Sequence, residues 1–110
     1  EIDAELGNQI IDWNGQENTH ANLWQKQLHL YEVPFYYIEY GMAQLGAIAM
    51  WRSYKKIGEQ ALDNYMSALK LGYTKSISEI YQAAGIKFDF SATYVKELAD
   101  FIKDELQKLN

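Results

Sequence analysis

Apolar residues recur at helical spacing along most of the chain, and no stretch alternates apolar with polar in the manner of a half-buried strand. Ile2, Leu6, Ile10 and Ile11 give Ile2–Trp13 a weak helical period, interrupted by Gly7. Asn14-Gly15 reads as a turn. A second helical stretch is expected from Thr19 or Ala21 towards His29, with Leu23, Trp24, Leu28 and Tyr31 on one side. Val33 precedes Pro34 and is pushed towards extended backbone, and Pro34 suits the first position of a helix, where its missing N–H costs nothing. The strongest element is therefore expected from Pro34 to about Ile57, with Phe35, Ile38, Met42, Leu45, Ala49 and Trp51 in period. Gly41, Ala43, Gly46 and Ala47 keep another face of it thin. Glycine inside a helix costs roughly 1 kcal/mol against alanine, so this face predicts an unusually close neighbour.

Gly58 is a natural stop. A further helix is expected over Glu59–Leu71, with Leu62, Tyr65, Met66 and Leu69 on one face and Gly72 at its end. Ser76-Ile77-Ser78-Glu79 has the form of a capping box opening a short helix that closes at Gly85. Ser91 caps a last helix with Val95, Leu98, Ile102, Leu106 and Leu109 inward and Lys96, Glu97, Lys103, Asp104 and Lys108 outward. The pattern predicts an all-α fold of about five helices in one compact, bundle-like domain over residues 1–110, with 1–20 as a peripheral segment. No repeat recurs along the chain.

The chain has 110 residues, 10 Lys+Arg against 15 Asp+Glu, and no cysteine. One domain is the natural reading of that length. The net charge of −5 argues against nucleic acid as a partner, and the lysines Lys26, Lys55, Lys56 and Lys70 look scattered. Disulfides and thiolate metal sites are excluded. The longest apolar stretch, Gly41–Trp51, is far short of the roughly 20 residues of a membrane-spanning helix. The chain starts at Glu1 without an initiator Met, which reads as a portion of a longer protein.

Known catalytic motifs are scarce. The two histidines, His20 and His29, do not form H-E-x-x-H. Glu17-Asn18-Thr19-His20 has the Glu-x-x-His spacing of di-iron bundles, which need two such motifs and two further glutamates. Phosphate-loop, dinucleotide and nucleophile-elbow motifs are absent.

One concentration of chemistry remains, in His29-Leu30-Tyr31-Glu32-Val33-Pro34-Phe35-Tyr36-Tyr37-Ile38-Glu39-Tyr40. On a helix starting at Pro34, Tyr36 and Tyr40 would share a face, with Tyr37 nearby. These aromatics could simply belong to a tyrosine-rich core with hydroxyls at its rim. Alternatively, histidine and tyrosine could act together as neutral donors to a carbonyl or oxyanion.

The block Leu28-His29-Leu30-Tyr31-Glu32-Val33-Pro34-Phe35-Tyr36-Tyr37-Ile38-Glu39-Tyr40-Gly41-Met42-Ala43 closely resembles the C-terminal signature of oligoendopeptidase F-type enzymes of the M3 metallopeptidase family. Trp24 before the histidine, Tyr65–Gly72, and the Ala84–Phe88 turn fit as well, so that the resemblance spans about Trp13 to Leu109. It implies a mostly helical zinc endopeptidase that cuts oligopeptides in a deep channel. Family zinc is held by H-E-x-x-H and a later glutamate, with the glutamate between the histidines as general base; all of these would lie upstream. His29, Tyr36 and Tyr40 match the positions that bind substrate and stabilise the tetrahedral intermediate, with Tyr37 as a further substrate-binding residue. The resemblance further implies an oligopeptide substrate, an upstream catalytic half as partner and a cytoplasmic location. The chain alone is expected to hold no zinc, to be inactive, and to self-associate through apolar surface at Trp24, Phe35 and the Gly41/Ala47 face. The competing reading is a non-catalytic helical module that binds a peptide or partner helix through the aromatic face from Tyr36 to Trp51.

Overall fold

The computed structural model describes residues 10–109, which contain helices and turns and no strand. The chain divides into two compact units, Glu1–Ile38 and Glu39–Asn110. The helix expected over Ile2–Trp13 falls largely outside the described residues; from Ile10 to Trp13 the backbone is turn and bend.

In the first unit Gly15 adopts a φ of +75°, and the Gln16 N–H donates to the Trp13 carbonyl at 2.8 Å to close the expected Asn14-Gly15 turn. Three short pieces follow: α1 over Glu17–Ala21, a 3-10 turn over Leu23–Lys26 and α2 over His29–Glu32. One continuous helix from Thr19 to His29 was the expectation, and Asn22 is the reason it fails. Its side-chain amide donates to the Asn18 carbonyl at 2.7 Å and its side-chain oxygen accepts from Gln25 at 3.1 Å. Such local bonds compete with the helical ladder. The shared side for Trp24 and Tyr31 survives the break, their rings stacking 6.2 Å apart.

The start of the long helix is also displaced. The Tyr36 N–H donates to the Val33 carbonyl at 3.1 Å, closing a tight turn with Pro34 and Phe35 at its centre. Phe35 has φ +67°, the sole positive value outside glycine among the described residues. Proline first and a positive φ second is the type II pattern. Pro34 thus sets a turn where a helix start was expected, and α3 runs Ile38–Ile57. Phe35 is 96% exposed and outside the apolar stripe assigned to it.

In the second unit α3 is followed by α4 over Glu59–Leu71, α5 over Ile77–Ala83 and α6 over Ala92–Gln107. Gly58 and Gly72 mark the breaks with positive φ values of 58° and 51°. The expected capping box is present: the Glu79 N–H donates to Ser76 Oγ at 3.3 Å while the Ser76 N–H donates to Glu79 Oε2 at 2.9 Å. Ser91 caps α6 by accepting from the Tyr94 N–H at 3.3 Å.

The interior is built largely from small residues: Ala49, Ala61, Ala68 and Ala84 are buried beside Tyr94 and Leu98. Ala49, Tyr94 and Leu98 form one cluster, flanked by Leu45, Ile48 and Ile86. On α4 the apolar face is not the buried one. Ala61 and Ala68 turn inward, whereas Leu62, Tyr65, Met66 and Leu69 remain exposed, because an alanine face admits α5 more closely than leucine would. On α6 the buried stripe runs through Tyr94, Leu98 and Glu105, leaving Leu106 and Leu109 exposed. The Glu105 side chain, 9% exposed, pairs with Lys55 Nζ at 2.8 Å and with Lys108. Hydrogen bonds from Lys108 and Lys55 hold its carboxyl below the usual range.

The close neighbour predicted by the thin face is Tyr81. A methyl group on Gly46 would stand 2.8 Å from the Tyr81 hydroxyl, whereas one on Gly41 would meet nothing within 4 Å. The Tyr81 hydroxyl donates to the Met42 carbonyl at 3.4 Å, and burial pushes its ionisation upward. Gly41→Ala is therefore expected to stabilise the helix by up to about 1 kcal/mol. Gly46→Ala should forfeit that gain in thermal unfolding and recover it when combined with Tyr81→Phe, which removes the obstructing oxygen.

A second prediction concerns the α5 cap. Ser76→Ala should cost about 1 kcal/mol at neutral pH. The Ser76 hydroxyl and N–H hold Glu79 below the usual carboxylate range. A depressed carboxyl contributes stability above its unfolded value, about 4.3, and loses it as the pH falls through the folded value. The difference between wild type and Ser76→Ala in unfolding midpoint should narrow below about pH 4.

Candidate functional site

The turn at Pro34 and Phe35 organises the sequence block singled out above. His29 opens α2, and its ring lies 5.5 Å from that of Tyr37, tilted by 39°. These two predicted site residues meet within the first unit. Tyr36 is held at the turn by its backbone bond to Val33, and Tyr40 lies in the first turn of α3. Because α3 starts at Ile38, Tyr36 and Tyr37 precede the helix and the shared helical face inferred for Tyr36 and Tyr40 does not apply. Tyr36, Tyr37 and Tyr40 are 46%, 43% and 53% exposed.

Phe35 adds backbone strain at the centre of this block. A bulky side chain at positive φ crowds its own carbonyl. Such residues cost about 1–3 kcal/mol and concentrate at functional sites, where surrounding structure holds them in place.

The donor set does not suit a catalytic zinc ion, which takes three protein ligands and keeps one position open. His20 is stacked on Trp13 at 4.7 Å with rings 3° from parallel. Among the described residues no three His, Asp or Glu side chains cluster so as to hold a metal. Glu17, the partner of His20 in the Glu-x-x-His spacing, accepts instead from the Gly15 N–H at 2.9 Å, and backbone hydrogen bonds hold its carboxyl below the usual carboxylate range.

The second unit contributes a feature that sequence reasoning anticipated only in part. Ala43, Gly46, Ala47, Trp51, Leu62 and Tyr65 are among the residues lining an apolar groove of about 500 Å³. Gly46 and Ala47 belong to the thin face read from the sequence. Leu62 and Tyr65 belong to the apolar face read for α4, which stays exposed and walls the groove.

The model of Peptidase family M3 matches residues 2–100 of the chain. No match was found among curated proteins, nor among solved structures. A match over nearly the whole length, on an all-helical fold carrying the His29–Tyr40 block, defines the class: the chain belongs to peptidase family M3. It is thus of metallopeptidase type, in a family that is generally zinc-dependent and acts on peptides. Among the described residues no helix is long and apolar enough to cross a membrane.

Proposed function

We propose that the chain is the C-terminal portion of a zinc-dependent oligoendopeptidase of the F type, hydrolysing peptide bonds within oligopeptides. The observation that carries this reading is the family match over residues 2–100, taken with the His29–Tyr40 block and its strained turn. The zinc ligands of H-E-x-x-H belong to an upstream part of the same protein, since the histidines here do not fit a metal centre. The cytoplasm is the compartment that goes with this reading.

In it, His29, Tyr36 and Tyr40 act on the scissile peptide, and Tyr37 helps to bind the substrate. When water adds to a peptide carbonyl, negative charge grows on its oxygen. A phenol O–H or an imidazole N–H held within reach donates more strongly as that charge develops, which is preferential binding of the transition state. The packing of the His29 ring near Tyr37 supports a fixed imidazole. The single turn at Pro34 and Phe35 links His29 to the tyrosines in sequence and fixes the backbone at Tyr36.

The apolar groove and the exposed Trp24 and Phe35 support docking of the upstream half against this portion, and self-association when that half is missing. Large apolar residues outnumber small ones on the surface of the described residues, and the buried set is mostly alanine. Family membership weighs against a stand-alone interaction module, while the same groove explains why the sequence also suggested one.

The test is kinetic and uses the intact peptidase. Removing one oxyanion donor typically lowers kcat by about 10²–10³. Tyr40→Phe and His29→Ala should each produce a loss of that order with zinc content unchanged, and Tyr36→Phe should raise KM more than it lowers kcat. Tyr73→Phe, at a fully exposed loop position, should leave both constants unaltered. Near-normal kcat in both Tyr40→Phe and His29→Ala would remove these residues from the site.

A further inference from the structure

The helices of the second unit gather three cations that look unrelated in the sequence. Arg52 and Lys56 stand one turn apart on α3, and Lys87 lies on the segment before α6; together they line a cleft of about 420 Å³. Its floor is the buried Tyr94. The Arg52 guanidinium carbon lies 5.4 Å from the Tyr94 ring centroid, and Lys87 Nζ lies 5.8 Å from it. One aromatic ring thus draws two like charges towards each other.

The compensation within the cleft is incomplete. Glu97 is the one carboxylate among the lining residues, and it pairs with Arg52 at 3.4 Å. Asp89, which feels the charge of Lys87, accepts hydrogen bonds from Ser91 first. Three cations and one carboxylate leave the lining two charges positive in a chain whose net charge is −5. The Ser53 hydroxyl lies in the same wall. Arg52 is 12 residues beyond Tyr40, about 18 Å along the helix axis, so the cleft is separate from Tyr40.

We propose that this cleft binds a doubly charged oxyanion of the phosphate class, either free or as the terminal phosphoryl group of a small molecule. A dianion matches the two uncompensated charges. The guanidinium and the two ammonium groups donate the charge-assisted hydrogen bonds that such an oxyanion accepts. An oxyanion that binds only the folded unit makes binding and folding mutually reinforcing.

The test is thermal unfolding of the intact protein at constant ionic strength, titrated with inorganic phosphate, glycerol phosphate or chloride. Phosphate should raise the midpoint saturably, and chloride should not. A comparable or larger effect of glycerol phosphate assigns the site to a phosphorylated small molecule; an effect of inorganic phosphate alone assigns it to the free ion. Lys56→Gln and Lys87→Gln should each weaken the apparent affinity roughly tenfold, the weight of one charged hydrogen bond, while Lys103→Gln on the outer side of α6 should not. Equal shifts with phosphate and chloride, or an undiminished phosphate effect in the Lys56→Gln/Lys87→Gln double variant, would overturn the proposal.

Discussion

Small side chains set the spacing between the helices of Glu39–Asn110, and much else in that unit follows from it. Ala61 and Ala68 are the buried residues of α4, Ala49 is that of α3, and Ala84 follows α5. With alanine at the contact, α4 packs closely against α5. The large apolar groups are displaced outward, to Leu62, Tyr65, Met66 and Leu69 on α4 and to Trp51 on α3. A unit of this kind satisfies its backbone internally while leaving apolar surface open for a neighbour.

Much of the fold was legible in the sequence because its ends are marked by local chemistry. Gly58, Gly72, the Ser76–Glu79 box and the Ser91 cap work within a few residues, so reading them needs no knowledge of the neighbouring helices. The departures occur where nonlocal packing or competing turns decide. Asn22 offers the backbone an alternative to the helix, and Pro34 enters a turn although a helix start was equally compatible with its fixed φ. On α4 the helical period is legible but not which face is buried: hydrophobicity alone favours Leu62 and Leu69 for burial over Ala61 and Ala68. The contact of Tyr81 with Gly46 is likewise invisible to a local pattern, because it joins residues 35 positions apart.

The candidate site divides along the same line. His29, Tyr36, Tyr37 and Tyr40 stood out by residue type and by resemblance to a family signature. The shared helical face first suggested for Tyr36 and Tyr40 does not form, because a turn at Pro34 and Phe35 precedes α3. The cationic cleft was not apparent at all. Arg52 and Lys56 carry a local signal, being four apart on one helix, but Lys87 joins them only through the packing of its loop around Tyr94. Charge patterns read along a chain miss clusters that the fold assembles from distant segments.

The central chemical claim is that Tyr40 and His29 donate to the oxygen on which charge develops during peptide hydrolysis. The most direct measurement is a crystal structure of the intact peptidase with a phosphinic peptide, whose tetrahedral oxygens mimic that charge. The expected result is Tyr40 Oη or a His29 ring nitrogen about 2.7–3.1 Å from such an oxygen. A complex with the inhibitor seated in the cleft and both groups beyond hydrogen-bonding reach of it would contradict the assignment.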